Sequence, residues 1–131
     1  MPVNIVAEEN IYVGRPIVIE GQSPNTDYGS VFEDDGLTGY FYALDLSQQD
    51  QSIVDARHIY NVEQVTDRSI PSIVEIVWST DGLKTMLLIN KYPHAVIDFD
   101  ARRAYCRSGF PSPGEGWSAA VWDDGVMELF R

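Results

Sequence analysis

The sequence has very little cysteine, and this excludes several kinds of site. Cys106 is the only cysteine among 131 residues, so neither an intrachain disulfide nor a zinc site built on several cysteines can form. The first ten residues contain neither the basic segment nor the apolar stretch of a signal peptide. A single thiol suits a reducing compartment, and we expect a cytoplasmic protein.

Long apolar runs and positive charge are also scarce. No run of about 18 apolar residues, the length that crosses a membrane as a helix, occurs in the sequence. Nine Lys and Arg residues stand against twenty Asp and Glu residues, which gives a formal net charge of −11. This charge disfavours binding to nucleic acid phosphates or an anionic membrane. A basic protein is the favoured partner, although the acidity could also serve solubility alone.

Turn-forming residues divide the chain into short hydrophobic segments. Asp-Gly pairs at 35–36, 81–82 and 124–125 are typical of tight hairpin turns, because glycine accepts a positive φ. With a reversal near residues 100–103, the sequence predicts four hairpins. Their strands are residues 28–33 with 37–45, 72–79 with 83–90, 94–99 with 104–107, and 117–121 with 126–130.

The remaining segments complete a strand-rich pattern. Residues 1–10 fit a short edge strand or an ordered tail, and residues 12–20 predict a second strand. Residues 91–93 predict a break between hairpins. Residues 53–62 alternate as a strand does, although Ser52 could instead cap a short helix, and we favour the strand. We expect a single domain over residues 1–131 with a mainly β fold. Consecutive hairpins predict an antiparallel meander forming a curled sheet, half-barrel or sandwich, with at most one or two short helices.

Glu33, Asp34 and Asp35 form an acidic cluster at the tip of the first predicted hairpin. With Asp45 they could offer carboxylates to a divalent metal, but the spacing does not match an EF-hand loop, and a solvated turn is the simpler interpretation. Attracting a basic protein needs charge and no coordination geometry. We expect these three residues to bind a partner, and we expect no metal and no cofactor.

A second candidate site combines histidine, tyrosine and arginine. His58 and Tyr60 lie two residues apart on one predicted strand and are expected to share a face. The only basic cluster of the sequence, Arg102, Arg103 and Arg107, lies beside the Pro- and Gly-rich residues 109–116. If these groups converged, they could bind a small anion or support hydrolysis. The structural alternatives are a core histidine and arginines paired with acids of the same molecule. The candidate ligand-binding residues are His58, Tyr60, Arg102, Arg103 and Arg107.

Two further residues have ordinary interpretations. Cys106 could act as a nucleophile if the neighbouring arginines favoured its thiolate and a histidine lay nearby, but a buried cysteine on a strand is the simpler interpretation. His94 follows Pro93 and is expected to be exposed. We therefore assign no catalytic residue.

Residues 31–45, VFEDDGLTGYFYALD, and 53–62, IVDARHIYNV, resemble a family of small bacterial proteins catalogued only as a domain of unknown function. The resemblance continues through residues 106–111, CRSGFP, to Trp122 and Asp123. It implies a bacterial cytosolic protein and supplies no catalytic residues. In size and acidity the chain is also similar to immunity proteins, which neutralise toxins by covering a basic active site. We expect a non-enzymatic binder of a basic protein, with the arginine and histidine pocket as the alternative.

Overall fold

The computed structural model describes residues 3–47, 52–106, 118–120, 125–126 and 130. Ten strands lie within these residues, and Val62–Gln64 form a turn of 3-10 helix. The strands are β1 (Val3–Ile11), β2 (Ile17–Gln22), β3 (Tyr28–Asp34), β4 (Thr38–Asp45), β5 (Ser52–Asn61), β6 (Ser72–Ser79), β7 (Lys84–Ile89), β8 (Tyr92–Asp98), β9 (Arg103–Cys106) and β10 (Ser118–Ala120).

The strands form two sheets. The smaller sheet has the order β2-β3-β4-β5, and every pair in it is antiparallel. The larger sheet has the order β1-β6-β7-β8-β9-β10, in which only β9 and β10 are parallel. The predicted mainly β fold is confirmed. Among the expected arrangements it is the sandwich, because one hydrophobic core includes residues from both sheets.

A stack of three aromatic rings joins the two sheets across the core. Phe99 stacks on Trp78 of the larger sheet at 5.4 Å between ring centroids and on Tyr28 of the smaller sheet at 4.4 Å. The indole N–H of Trp78 donates to the backbone oxygen of Gly21 at 3.2 Å. A Cβ at Gly21 would lie 2.7 Å from the side chain of Ile76. Only glycine therefore allows this close approach of the two sheets.

The larger sheet also buries part of its other face. Val77, Met86 and Val96 form a second cluster there with Val126 and Phe130 near the C terminus. Residues of β6 are therefore buried on both sides of the sheet, which explains the nearly continuous apolar sequence of this strand.

The structure confirms three of the four predicted hairpins, β3–β4, β6–β7 and β8–β9, and corrects a predicted break. Gly36 and Gly82 have φ angles of 98° and 72°, as the Asp-Gly pairs predict. The predicted break at residues 91–93 is wrong, because Tyr92 and Pro93 already belong to β8. Asn90 and Lys91 form a two-residue turn with φ angles of 53° and 67°, and asparagine is among the residues that tolerate this conformation.

The chain differs from prediction at two other segments. Residues 12–16 form a turn with Gly14 at a φ of 94°, so β2 begins at Ile17 and not at Tyr12. The predicted hairpin of residues 117–121 and 126–130 is wrong where the structure describes it. There β10 pairs in parallel with β9, and Gly125, Val126 and Phe130 have 3-10 conformation. Burial of Val126 and Phe130 against the larger sheet overrides their strand propensity.

The strand assigned to residues 53–62 is confirmed as β5, Ser52–Asn61. The predicted edge strand of residues 1–10 is confirmed as β1, which pairs with β6. Across the described ranges, none of the helical segments has the length and apolarity needed to cross a membrane.

Candidate functional site

The outward face of the smaller sheet carries the first predicted site. Phe32 and Phe41 point into the core, so the alternate residues of β3 and β4 point outward. The register aligns Val18, Glu33, Tyr40 and His58 in one row across the sheet, and Glu20, Val31, Tyr42 and Ala56 in the next. We call these eight residues the tyrosine face.

The tyrosines of this face are held by specific contacts. The rings of Tyr40 and Tyr42 stack at 5.9 Å, and the ring of His58 meets Tyr40 edge to face at 5.4 Å. The Tyr42 hydroxyl donates to the carboxylate of Glu33 at 3.0 Å. Partial burial and this hydrogen bond raise the pKa of Tyr42 to about 12. The hydroxyl therefore stays protonated and bound to Glu33 at neutral pH.

The three predicted partner-binding acids occupy different positions. Glu33 lies on the tyrosine face, and Asp35 lies exposed at the hairpin tip, where it accepts from the backbone N–H groups of Leu37 and Thr38. These backbone donors lower the pKa of Asp35. Asp34 is only 1% exposed, so its carboxylate does not reach a partner.

Asp34 has a structural role instead. Its carboxylate accepts from the backbone N–H of Gly14 at 2.8 Å, the backbone N–H of Gly36 at 2.8 Å and the hydroxyl of Tyr60 at 2.6 Å. These three donors satisfy a buried carboxylate that would otherwise destabilise the fold. Asp34 thereby ties together the turn before β2, the β3–β4 turn and β5.

The surface of the smaller sheet is negative because its sequence contains almost no bases. No lysine or arginine occurs between Arg15 and Arg57, a stretch that contains eight acids. Arg57 itself is 1% exposed and forms a bidentate pair with Asp55, with N–O distances of 2.7 and 3.0 Å. Both residues point into the core, opposite Phe41 and Ala43 of β4. The one arginine of this sheet therefore contributes no exposed positive charge.

The second predicted site is divided by a β-bulge. Tyr40 pairs with His58 and Gly39 with Tyr60, which leaves Ile59 as an extra residue on β5. The bulge interrupts the alternation, so His58 stays outward while Tyr60 turns inward and packs near Phe32 at 6.1 Å. The sequence expectation that His58 and Tyr60 share a face is therefore wrong.

The arginines of that site lie on the other sheet. Arg103 opens β9, whose alternate residues Ala104 and Cys106 point into the core, so Arg103 points away from the smaller sheet. His58 and Arg103 thus face opposite sides of the sandwich. Arg102 is exposed at the β8–β9 turn with a φ of 55°, and Arg107 lies outside the described residues. The structure brings none of the described arginines of this set beside His58.

Cys106 and the ring of His58 make structural contacts. Cys106 is buried, and its thiol donates to the backbone oxygen of His58 at 3.1 Å. The His58 ring contacts the side-chain oxygen of Asn61 through Nε2 at 2.8 Å. Within the ranges that the structure describes, no group of three or more His, Cys, Asp or Glu residues could hold a metal ion.

Sequence reasoning did not identify Val18, Glu20 and Val31 as part of the same surface as Glu33. The available signal was the long stretch without bases between Arg15 and Arg57. Their grouping depends on the pairing of β2 with β3, and turn chemistry alone does not reveal it.

Comparison with known proteins identifies the family. A model for uncharacterised proteins conserved in bacteria, DUF2251, matches residues 11–131. An uncharacterised protein of Haemophilus influenzae is 40% identical over 111 residues, which cover 84% of this chain and 69% of that protein. No solved structure shows a significant match to the chain. The chain belongs to the DUF2251 family of uncharacterised proteins conserved in bacteria.

Proposed function

We propose that the protein is a non-enzymatic interaction module of the bacterial cytoplasm whose tyrosine face binds a basic protein. The observation that carries this proposal is the uniform charge of the smaller sheet. Glu20 and Glu33 lie on the tyrosine face and Asp35 at its hairpin end, while the only arginine of the four strands is buried with Asp55. A basic surface would therefore meet no repulsive charge on this sheet.

The side chains between the acids suit the centre of a protein interface. Tyrosine is enriched among residues that dominate binding energy, because its rigid ring buries a large area and its hydroxyl can hydrogen-bond. Tyr40 and Tyr42 stand side by side on the face, and Val18 nearby is 55% exposed. An arginine or lysine of the partner can pack on a tyrosine ring while its charge meets Glu33. The face thus combines an aromatic centre with acidic neighbours.

The charge of the whole molecule supports the same partner. A net charge of −11 accelerates the approach of a cationic protein over long distances. Salt screens this attraction, with a Debye length of about 10 Å at 0.1 M ionic strength. Association is therefore expected to slow as salt is added, while dissociation changes less. Immunity proteins, to which the sequence is similar in size and acidity, neutralise basic sites in this way.

The test begins with capture from an extract of the source bacterium at low and moderate salt. The bait is the wild-type chain, compared with the double variant Glu20→Lys and Glu33→Lys on the tyrosine face. Asp100→Lys is the control for a charge reversal away from the tyrosine face, because this exposed residue lies in the β8–β9 turn of the other sheet. A basic protein retained by wild type and by the control, and lost with the double variant, supports the proposal.

Purified partner then gives the decisive measurement. Association and dissociation rates are measured over a range of salt concentrations for wild type and for Tyr42→Ala. We expect Tyr42→Ala to increase the dissociation rate, because truncating a central aromatic residue costs about 2 kcal/mol or more. If no basic protein is captured at either salt, or the double variant captures as well as wild type, the proposal is wrong.

The alternative function, small-molecule binding or hydrolysis near His58, Arg102, Arg103 and Arg107, has less support. His58 and Arg103 face opposite sides of a sandwich whose sheets are about 10 Å apart. A pocket shared by these two groups would have to pass through the hydrophobic core. We therefore base the proposed function on the tyrosine face.

A further inference from the structure

An open cleft of about 510 Å³ lies where the connection of residues 62–71 crosses from β5 to β6. This volume falls within the range of small-molecule sites, about 300 to 1,000 Å³. Its walls include Tyr60 of β5, Ile89 of β7, and Tyr92 and His94 of β8. None of the eight residues of the tyrosine face lines it. The cleft is thus a separate feature of the molecule.

Three aromatic side chains, those of Tyr60, Tyr92 and His94, contribute to the wall of the cleft. The Tyr60 hydroxyl is engaged with Asp34 at 2.6 Å, so Tyr60 offers its ring to the cleft. Tyr92 and His94 meet edge to face at 5.7 Å. Leu87 and Leu88 pair with Ala95 and Pro93, so His94 is the extra residue of a second bulge. Bulges commonly redirect side chains toward functional sites.

The cleft also concentrates exposed apolar surface. Ile70 and Tyr92 both line it and are 60% and 54% exposed. Isolated exposed apolar residues need no explanation, but their grouping around one concavity is a feature of binding sites.

The charge of the lining residues determines which class of ligand the cleft favours. Asp67 is the only Asp, Glu, Lys or Arg among the lining residues. It is exposed and has a φ of 53°. The neighbouring amide of Asn90 is already used, because it accepts from the backbone N–H of Ile73 at 2.9 Å and donates to Ser72 at 3.4 Å. Asp67 is therefore the charged group that discriminates between cations and anions.

We propose that this cleft binds a small organic ammonium compound that carries an aromatic ring. The ring packs against Tyr60 and Tyr92, and the ammonium group is attracted by Asp67 and by the faces of the aromatic rings. A carboxylate or phosphate of the same size meets the charge of Asp67, and no lysine or arginine among the lining residues compensates it. The site therefore favours cations over neutral compounds, and neutral compounds over anions.

Three probes of similar shape test this order: phenethylammonium, phenethyl alcohol and hydrocinnamate. Each is titrated to millimolar concentration into the isotopically labelled full chain while backbone amide resonances are recorded. We expect phenethylammonium to shift resonances of residues 65–72 and 89–94, with phenethyl alcohol weaker and hydrocinnamate weakest. The absence of shifts in these residues with all three probes, or equal binding of hydrocinnamate and phenethylammonium, overturns the proposal.

The variant Asp67→Asn removes the charge of this side chain and keeps its shape. Asparagine tolerates the left-handed conformation of this position, so the backbone should be preserved. We expect the affinity for phenethylammonium to fall about two- to five-fold, as for an exposed ion pair, while phenethyl alcohol binds as before. Asp100→Asn, on the β8–β9 turn, is the control and should change neither affinity. Unchanged phenethylammonium binding by Asp67→Asn overturns the assigned ligand class.

Binding of phenethylammonium in the cleft should not depend on the tyrosine face. The double variant Glu20→Lys and Glu33→Lys leaves the cleft intact and should bind phenethylammonium with wild-type affinity. If this variant loses as much affinity for phenethylammonium as Asp67→Asn does, the probe binds the tyrosine face, and the cleft is not its site.

Discussion

Tyr60 donates a hydrogen bond of 2.6 Å to Asp34, and the bond passes over the strand that lies between them. Tyr60 belongs to β5 and Asp34 to β3, while Gly39 of the intervening β4 pairs with both. A Cβ at Gly39 would lie 2.7 Å from the Tyr60 ring. A residue without a side chain therefore lets the tyrosine reach the carboxylate, and three strands are joined at the acidic hairpin.

Replacing Tyr60 with phenylalanine should destabilise the fold. The variant leaves the buried carboxylate of Asp34 with one donor fewer, and a hydrogen bond to a charged group contributes about 1.5 to 3 kcal/mol. Burial and the bond to Asp34 raise the pKa of Tyr60 above its usual range, so the hydroxyl remains a donor throughout the neutral range. Urea denaturation measures the loss.

Tyr42→Phe is the matched control for that measurement. Its hydroxyl also donates to a carboxylate, that of Glu33 at 3.0 Å, but on the solvent-facing side of the sheet. Solvent can replace the lost bond there, so the free energy of unfolding should fall by less than in Tyr60→Phe. An equal loss in the two variants would contradict the buried role of the Tyr60–Asp34 bond.

Gly39→Ala should also destabilise the protein, by about 1 to 3 kcal/mol, because the added methyl group overlaps the Tyr60 ring. The effect should depend on that ring. In a Tyr60→Ala background the same substitution is expected to cost much less, and a double-mutant cycle from urea denaturation measures the coupling. Additive effects would show that the two residues do not interact.

The buried Arg57–Asp55 pair should be sensitive to the loss of one partner. Arg57→Met leaves the Asp55 carboxylate inside the core without its cation, which costs about 3 to 5 kcal/mol. Combining Arg57→Met with Asp55→Leu should recover part of this loss, because no unpaired charge is then buried. The free energy of unfolding is the measurement for both variants.

Lys84→Met provides the comparison for the buried pair. Lys84 contacts Asp81 at 3.0 Å, but the Asp81 side chain is 49% exposed. A pair of this kind contributes about 0 to 1 kcal/mol. A loss for Arg57→Met as small as that for Lys84→Met would contradict the assignment of Arg57 to the core.

Asp81 should contribute a pH-dependent part of the stability. The hydroxyl of Ser79 is the main cause of the low pKa of this carboxyl, about 2 against 3.8, with Leu83 N–H and Lys84 assisting. Because the folded state favours the ionised form, the contribution is complete above pH 3.8 and is lost as the pH falls through about 2. Solvent exposure keeps this contribution small. A carboxyl NMR titration measures the pKa directly.

Ser79→Ala should raise the pKa of Asp81 toward 3.8 in the same titration. The pKa of Asp35 serves as the internal control, because backbone N–H groups of Thr38 and Leu37 lower it at a distant turn. A variant that shifts both carboxyls equally would indicate a general change in the fold, whereas an unchanged Asp81 would contradict the role of Ser79.

Turn residues and hydrophobic alternation in the sequence predicted much of the fold. The Asp-Gly pairs located the turns between β3 and β4 and between β6 and β7, and alternation in residues 53–62 identified β5. The division into two sheets was not predictable in this way, because β1 pairs with β6 across the intervening residues 12–71. Such pairing depends on burial in the assembled core and leaves no local pattern.

The sequence predicted less of the candidate sites than of the fold. Glu33 was found from its charge, but the burial of Asp34 depends on a tyrosine 26 residues away in the sequence. The bulge at Ile59 reverses the direction of Tyr60 relative to simple alternation, and no turn residue marks it. The cleft likewise combines side chains from β5, β7 and β8. Each of these features arises from contacts between strands.

The pairing of β1 with β6 has a consequence for synthesis on the ribosome. The register runs from Ile11 opposite Ser72 to Val3 opposite Ser79, so β1 can begin to pair with β6 only after residue 72 has been made. Meanwhile β2, β3, β4 and β5 can pair in order, because each needs only the strand just before it. We therefore expect the four strands of the smaller sheet to pair before β1 pairs with β6. Pairing β1 with β6 closes the long loop formed by residues 12–71. We expect this step to come late and to carry a large cost in chain entropy.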